Sequence, residues 1–382
     1  MKKSFVLASL LPLLAACGPK EKTFRVALAV PLTGDIAAMG EGMKRGAELA
    51  VKEANASGRF KFKVELRPFD DRADPKEAVN VANQIVSDAN ISAVIGHLNS
   101  GCSIPAAQVY AKAGLPMITP AATNPKLTQQ QLEPSWKWVK NVFRVNTTDD
   151  VQGQFAARFA FKKLKLGSVA VIHDKTPYGQ GLAEEFEKEF KKLGGAVKSF
   201  DGIAVGDKDF KALLTRIKSL KPAAIYFGGI YNEGGLIAKQ MKETGMQAEF
   251  LSGDACFSPE FFKVAGSAAE GRYVTNVGVP PERLASAKDF LTNYRATFPG
   301  KDMQPYDPYT YEATHIALLA LEKAGISDPA SNAFDRTKII EFLRTLKYDG
   351  VLGRTEFDEK GDTRNKAVTV YLAKAGIFNP VE

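Results

Sequence analysis

Two short segments place small polar groups where an apolar strand gives way to a helix. In VIGHLNSG (94–101) the run Val94-Ile95 stops on Gly96, and Leu98, Asn99 and Ser100 follow just before a helical pattern. In MITPAAT (117–123) a second apolar run ends on Pro120, Ala121, Ala122 and Thr123. Hydroxyls beside the unpaired N–H groups of a helix start hold an anion such as a carboxylate through neutral donors. A third segment, EFLSGD (249–254), ends an apolar strand on an acid, Asp254, which can neutralise a cation. Brought to one cleft, these two poles would suit a free amino acid. Leu98, Met39, Tyr178, Ile230, Tyr231 and Tyr306 are candidates for the pocket around its side chain. Each residue also has a plainer reading: Ser100 as a helix cap, Asp254 as the cap of the helix opening at Pro259, the other six as core.

Chemistries that need other residues find little support. No G-x-S-x-G elbow, phosphate-binding G-x-x-x-x-G-K-[ST] or H-E-x-x-H occurs. The three histidines, His97, His173 and His315, fall on separate segments, which argues against a metal centre or a catalytic triad. GEGMKRG (40–46) has one residue too many before its last glycine for a dinucleotide fingerprint, and it follows a turn rather than a strand. Cys102 lies near His97, but no third residue is evident to orient such a pair. The expectation is a binding protein rather than an enzyme, with no cofactor and no metal. The formal charge of +8 is spread among alternating acids and bases, without a basic stripe interleaved with aromatics, so nucleic acid is not expected.

The elements that must position these residues follow an alternating pattern. At 382 residues the chain exceeds one ordinary core and suits roughly two domains. Strands are expected at 24–30, 61–70, 92–96 and 115–119, separated by helices over 37–56, 75–87 (with Asp74 as cap) and up to Ala113. The rhythm restarts at residue 149, with strands at 168–174, 196–203, 223–229 and 249–254 and helices between them. The tail adds a strand at 273–278, helices over 283–298, 308–324 and 336–346, and two strands within 355–374 joined at Lys360-Gly361-Asp362. Such β-α alternation implies mostly parallel sheets covered by helices, with ligands outside the carboxyl ends of the strands.

The N-terminus reads as an export signal. Lys2 and Lys3 precede an apolar run too short to span a bilayer as a helix, and Leu14-Ala15-Ala16-Cys17-Gly18 resembles a bacterial lipobox. On that reading residues 1–17 are a lipoprotein signal with lipidation at Cys17, residues 18–23 a tether, and the lipid the only membrane contact. A plain secretory signal is the alternative. In an oxidising compartment Cys102 and Cys256 are either two free thiols or one pair.

The ordered segments IGHLNS, MITPAAT, HDKTPYGQG, YFGGIYNE and FDEKGD resemble the leucine/isoleucine/valine-binding proteins of bacterial ABC transporters, the type I periplasmic binding proteins. The resemblance covers nearly all of the chain after the signal. It implies an α/β fold of two Rossmann-like lobes, joined by a three-segment hinge, with the ligand in the cleft between them. Lobe one would be 24–146 plus 278–352, lobe two 147–277 plus 353–382, with crossings near 146, 278 and 350–366. By position, Ser100 and Thr123 resemble the residues that hold the ligand carboxylate, and Ala121 the one whose carbonyl meets the ammonium. Asp254 stands where the family has an acid, commonly Glu, and Tyr178 matches a lobe-two aromatic. Ala122, Leu98, Asn99, Met39, Ile230, Tyr231 and Tyr306 complete the expected site. The sequence departs from the pattern at Ala73 and Asn99, where some members have cysteine, and at Ile230 and Met39, where aromatics are common. The resemblance further implies a monomer in the periplasm or cell envelope that delivers a branched-chain type L-amino acid to a membrane permease. The alternative is a binding protein or sensor of the same fold for a short-chain amide, urea or another amino acid, and the preferred side chain stays open.

Overall fold

The computed structural model describes residues 23–381, except 61, 325 and 329–332. The export signal with Cys17 and all but the last residue of the tether lie outside the described residues. Five parallel strands form the first sheet: β1 (Thr23–Val30), β2 (Lys63–Asp70), β3 (Ile91–Gly96), β4 (Met117–Thr119) and β5 (Val142–Arg144), in the order β2-β1-β3-β4-β5. The second sheet repeats that order with β6 (Ser168–His173), β7 (Ala196–Gly202), β8 (Ala224–Gly228), β9 (Glu249–Ser252) and β10 (Tyr273–Val277), running β7-β6-β8-β9-β10. Two antiparallel strands, Val368–Lys374 and Ile377–Pro380, extend its far side. The central strands β3 and β8 are buried along their whole length, as expected of parallel strands with helices on both faces.

Local rules account for many element ends. The helix Pro75–Ser87 starts where Pro75 needs no N–H partner, and Asp74 accepts from the N–H groups of Lys76 and Glu77, both at 2.8 Å. The helix Pro177–Lys192 opens the same way on Thr176, whose hydroxyl accepts from Gly179 N–H at 3.0 Å. Three expectations need correction. The short strand β5 is missing from the sequence reading, because three residues ending on arginine carry no recognisable period. The helix expected over 283–298 begins only at Lys288, after two 3₁₀ turns. The strands near the C-terminus do not pair with each other: Gly353–Glu356 pairs with Lys347–Gly350, while Val368–Lys374 joins the second sheet.

Three stretches of chain pass between the two sheets. The first follows β5 into the helix Asp149–Arg158, and the second leaves β10 for helices that pack on the first sheet. One of these, Asp307–Ala324, lies along the helix Ala37–Ala56, and the Tyr311 hydroxyl donates to Glu53 at 2.5 Å. The third stretch runs beside β5, where Arg144 N–H donates to the Gly361 carbonyl at 2.8 Å. Gly361 has φ +92° there, and a Cβ would collide with the Val142 carbonyl, so only glycine lets the strands approach.

Candidate functional site

The loops at the carboxyl ends of β3, β4 and β9 converge with the starts of two lobe-two helices. Around a gap of about 240 Å³ stand Leu98, Asn99, Ser100, Ala121 and Thr123 from one side and Tyr178, Ile230 and Ala255 from the other, with Tyr306 beside them. Eight of the twelve residues expected from the sequence line it. Met39 is fully buried in the core of the first unit. Ala122 faces a second core cluster while its carbonyl accepts from Arg144 at 2.9 Å. Tyr231 spans the cleft with its hydroxyl, donating to the Asp35 carbonyl at 3.0 Å. Asp254 stands directly behind the lining.

The first half of the site is built of neutral donors. Ser100 is the first helical residue rather than the cap, since Asn99 holds the cap position without a side-chain bond. The N–H groups of Cys102 and Ser103 already donate to the Asn99 carbonyl, which leaves those of Ser100 and Gly101 without an intrahelical acceptor. The Ser100 hydroxyl accepts from Asn124 N–H at 3.2 Å, tying two loops together, and its own hydrogen stays available to donate. The Thr123 hydroxyl is buried with no hydrogen-bond partner among the described residues. The Ala121 carbonyl accepts from the Asn146 amide at 3.0 Å and keeps a second lone pair free. Beneath these loops His97 is wholly buried between Asp71, 2.6 Å from its Nδ1, and the Tyr110 hydroxyl, 3.0 Å from its Nε2. It is structural.

The second half carries acids. Asp254 is fully buried and does not cap the helix Pro259–Ala265, a role taken by Ser258. Its carboxylate accepts from the Tyr178 hydroxyl at 2.8 Å and from the Tyr306 hydroxyl at 2.6 Å. These tyrosines come from opposite sides of the cleft. Burial pushes both phenols well above their ordinary range, Asp254's charge adds to it, and so both stay protonated donors. Burial also raises the Asp254 carboxyl, against the opposing bonds from Tyr306, Tyr178 and Gln152.

Sequence reasoning missed Asp149. It opens the helix after the first crossing, and an acid in a first helical turn reads as ordinary dipole compensation. In the fold it is fully buried, and neither carboxylate oxygen reaches hydrogen-bond geometry with any described residue. Burial drives its carboxyl well up. The nearby Thr123 hydroxyl and Arg144 offset this in part, while the Asp254 charge raises it further. Two buried acids thus stand just behind residues that line the gap, Asp254 on the Tyr178 and Tyr306 hydroxyls and Asp149 beside Thr123, and a nearby cation would favour their charged forms. The TTDD run (147–150) was the available signal, but nothing in it distinguishes a buried acid from a solvated one.

Further contacts hold the two halves together. Asn124 donates to the Pro177 carbonyl at 2.6 Å, Asn232 to the Asp35 carbonyl at 3.0 Å, and Ser258 to Gln304 at 2.8 Å. The cleft is closed. Cys102 and Cys256 are both buried free thiols, which removes the paired alternative. Among the described residues no cluster of His, Cys, Asp and Glu could hold a metal, and no helix is long and apolar enough to cross a membrane.

Comparison with known proteins matches these features. A family model described as periplasmic binding protein covers residues 23–376. A Leu/Ile/Val-binding protein homolog of Brucella suis is 38% identical over 356 residues, 92% of this chain and 90% of that protein. The crystal structure of a leucine-binding protein, LivK, from Thermotoga maritima superposes with a TM-score of 0.84 at 33% identity, covering 94% of this chain and 98% of the other. The branched-chain amino acid transporter substrate-binding protein LivJ of Streptococcus pneumoniae, solved with isoleucine, gives 0.82 at 28% identity over 94% and 99% of the two chains.

Proposed function

Because the chain belongs to the periplasmic binding protein family, we propose that it captures a small aliphatic L-amino acid between its lobes and hands it to an ABC permease. It is a periplasmic solute-binding protein whose relatives include Leu/Ile/Val-binding proteins. On this reading it works by binding alone, as a monomer. The observation that carries the reading is the polarity around the gap: neutral donors at Ser100 and Thr123 in its lining, and behind that lining two buried acids, Asp149 beside Thr123 and Asp254 on the Tyr178 and Tyr306 hydroxyls.

The ligand carboxylate takes the free N–H groups of Ser100 and Gly101 with the Ser100 and Thr123 hydroxyls. The ammonium takes the spare Ala121 lone pair and the charge of Asp149 and Asp254. Charge-assisted hydrogen bonds contribute about 1.5–3 kcal/mol each. Leu98, Ile230, Ala255 and the tyrosine rings enclose the side chain, and its burial adds about 1.5–3 kcal/mol. Only a ligand that touches both lobes shifts the open–closed equilibrium, because one bound equally by both states shifts nothing. We further assign the lobes to 24–146 with 278–352 and 147–277 with 353–382, and anchoring to a lipid on Cys17. The three passages of chain between the sheets support the division, and the lipobox-like LAAC supports the anchor.

Titration calorimetry of the full chain with leucine, isoleucine and valine tests the reading. Binding that Asp254→Ala weakens by about 30-fold or more, the cost of leaving one member of a buried charge pair alone, is the expected result. Undiminished leucine affinity in that variant would remove the acid from the site, and no binding of any of the three would end the aliphatic reading.

A further inference from the structure

The gap does not end at its side-chain wall. Asn99 and Ile230, one from each lobe, also line a second cavity of about 670 Å³ toward the cleft mouth. Its remaining walls are Thr33, Asp35, Ile36, Arg72 and Ala73 on one side and Asp174, Thr176, Val205, Asn232 and Glu233 on the other. Three acids therefore face one arginine, and that arginine is exposed.

Asp35 is exposed, but the other two acids are not solvated surface groups. Asp174 is 2% exposed and Glu233 6%. One Asp174 oxygen accepts from the Thr176 N–H at 2.9 Å and hydroxyl at 2.7 Å, while its second oxygen is buried without a partner among the described residues. Glu233 accepts from Gly206 N–H at 2.8 Å. Burial lifts the Asp174 carboxyl to about 6, and the Glu233 charge adds to it. Asn99 offers another buried, unpartnered oxygen at the doorway between the cavities. The unmet groups along this path are acceptors, and a carboxylate can only accept. An aliphatic chain would leave them unmet, and an unsatisfied buried acceptor costs more than its bond would gain.

Resting on the amino-acid reading above, we propose that this outer cavity is a second subsite. It receives the end of a longer amino-acid side chain that carries N–H donors, with Asp174 as its principal acceptor and Glu233 beside it. The ligand's α-carbon end stays at Ser100, Thr123, Asp149 and Asp254, and its side chain passes between Asn99 and Ile230. Neutral amide ends and cationic ends share this donor chemistry. The surplus of acids over Arg72 favours the cation.

Calorimetry with leucine, norleucine, glutamine, lysine and arginine separates the possibilities, using the full chain and its Asp174→Asn and Glu233→Gln variants. The expected result is that arginine or lysine binds at least tenfold more tightly than norleucine. At least one variant should then lower that affinity tenfold or more, while leucine affinity, which also reports folding, changes less than about threefold. Binding of glutamine but neither cation would support the subsite and assign it to amides. Leucine binding with none of the three donor-ended ligands bound would overturn the subsite and leave the aliphatic reading intact, as would donor-ended ligands indifferent to both variants. Binding of none of the five would overturn both.

Discussion

Arg144 and Asp149 stand five residues apart on either side of the first crossing, and both are fully buried charges. Their surroundings differ. The Arg144 guanidinium donates to Asp362 at 2.7 Å, to the carbonyls of Ala122 and Asn124 at 2.9 and 3.0 Å, and to the Thr128 hydroxyl at 2.8 Å. Burial pushes the Asp362 carboxyl up, but the charges of Arg144 and Lys366 and the bonds from Arg144 and Thr128 more than offset it. Asp149 has a carboxylate with no such bond and the like charge of Asp254 nearby. A saturated buried charge is architecture: it ties the Ala121–Thr128 loop to the third crossing. An unsaturated one is poised for a ligand, and the fold carries its cost until the ligand arrives.

The comparison breaks most visibly at the saturated pair. Arg144→Met strands Asp362 and should destabilise the protein by about 3–5 kcal/mol in chemical denaturation. A loss within experimental error would mean that the pair is dispensable and that saturation does not mark structure.

At Asp149 the opposite sign is expected. Asp149→Asn removes a charge that burial disfavours, so the ligand-free protein should gain about 1–3 kcal/mol near neutral pH while amino-acid affinity falls by tenfold or more. Because the folded-state carboxyl lies above its unfolded value, the native state holds more protons, and the wild-type chain becomes more stable as the pH falls. The advantage of Asp149→Asn should therefore shrink on acidification from pH 8 toward 5, read as the difference between two melting curves. Ligand affinity should decline over the same range, with a proton released on binding that calorimetry in two buffers detects. A variant less stable than wild type at every pH would make Asp149 structural after all.

The smallest effect belongs to the neutral half. Ser100→Ala removes one hydroxyl but keeps the backbone N–H groups, and should weaken amino-acid binding by only about 1 kcal/mol. A loss as large as that of Asp254→Ala would place the main anchor in the wrong lobe.

Legibility followed locality. Strand β1, the helix Ala37–Ala56 and the Asp74-capped helix could be read because each is specified by its own period, cap or proline. The small residues after β3 and β4 could be placed beside the gap because crevices in such sheets open outside the carboxyl ends of the strands. Met39 shows the limit of that approach. Its position at a helix start suited a pocket as well as a core, and only the packing of its helix put it in the core.

What the sequence by itself determined is the alternation of elements, the two-unit plan and the loops from which the gap is built. These depend on periodicity and turn chemistry that any stretch of ten residues displays. Tertiary structure alone decided which charges are met and which are left wanting. Asp149, Asp174 and Asp254 are the same letter, and the partners of their carboxylates lie between 2 and 76 positions away or do not exist among the described residues. A carboxylate's role depends on solvent and on neighbours within a few ångströms, and only the folded chain supplies either.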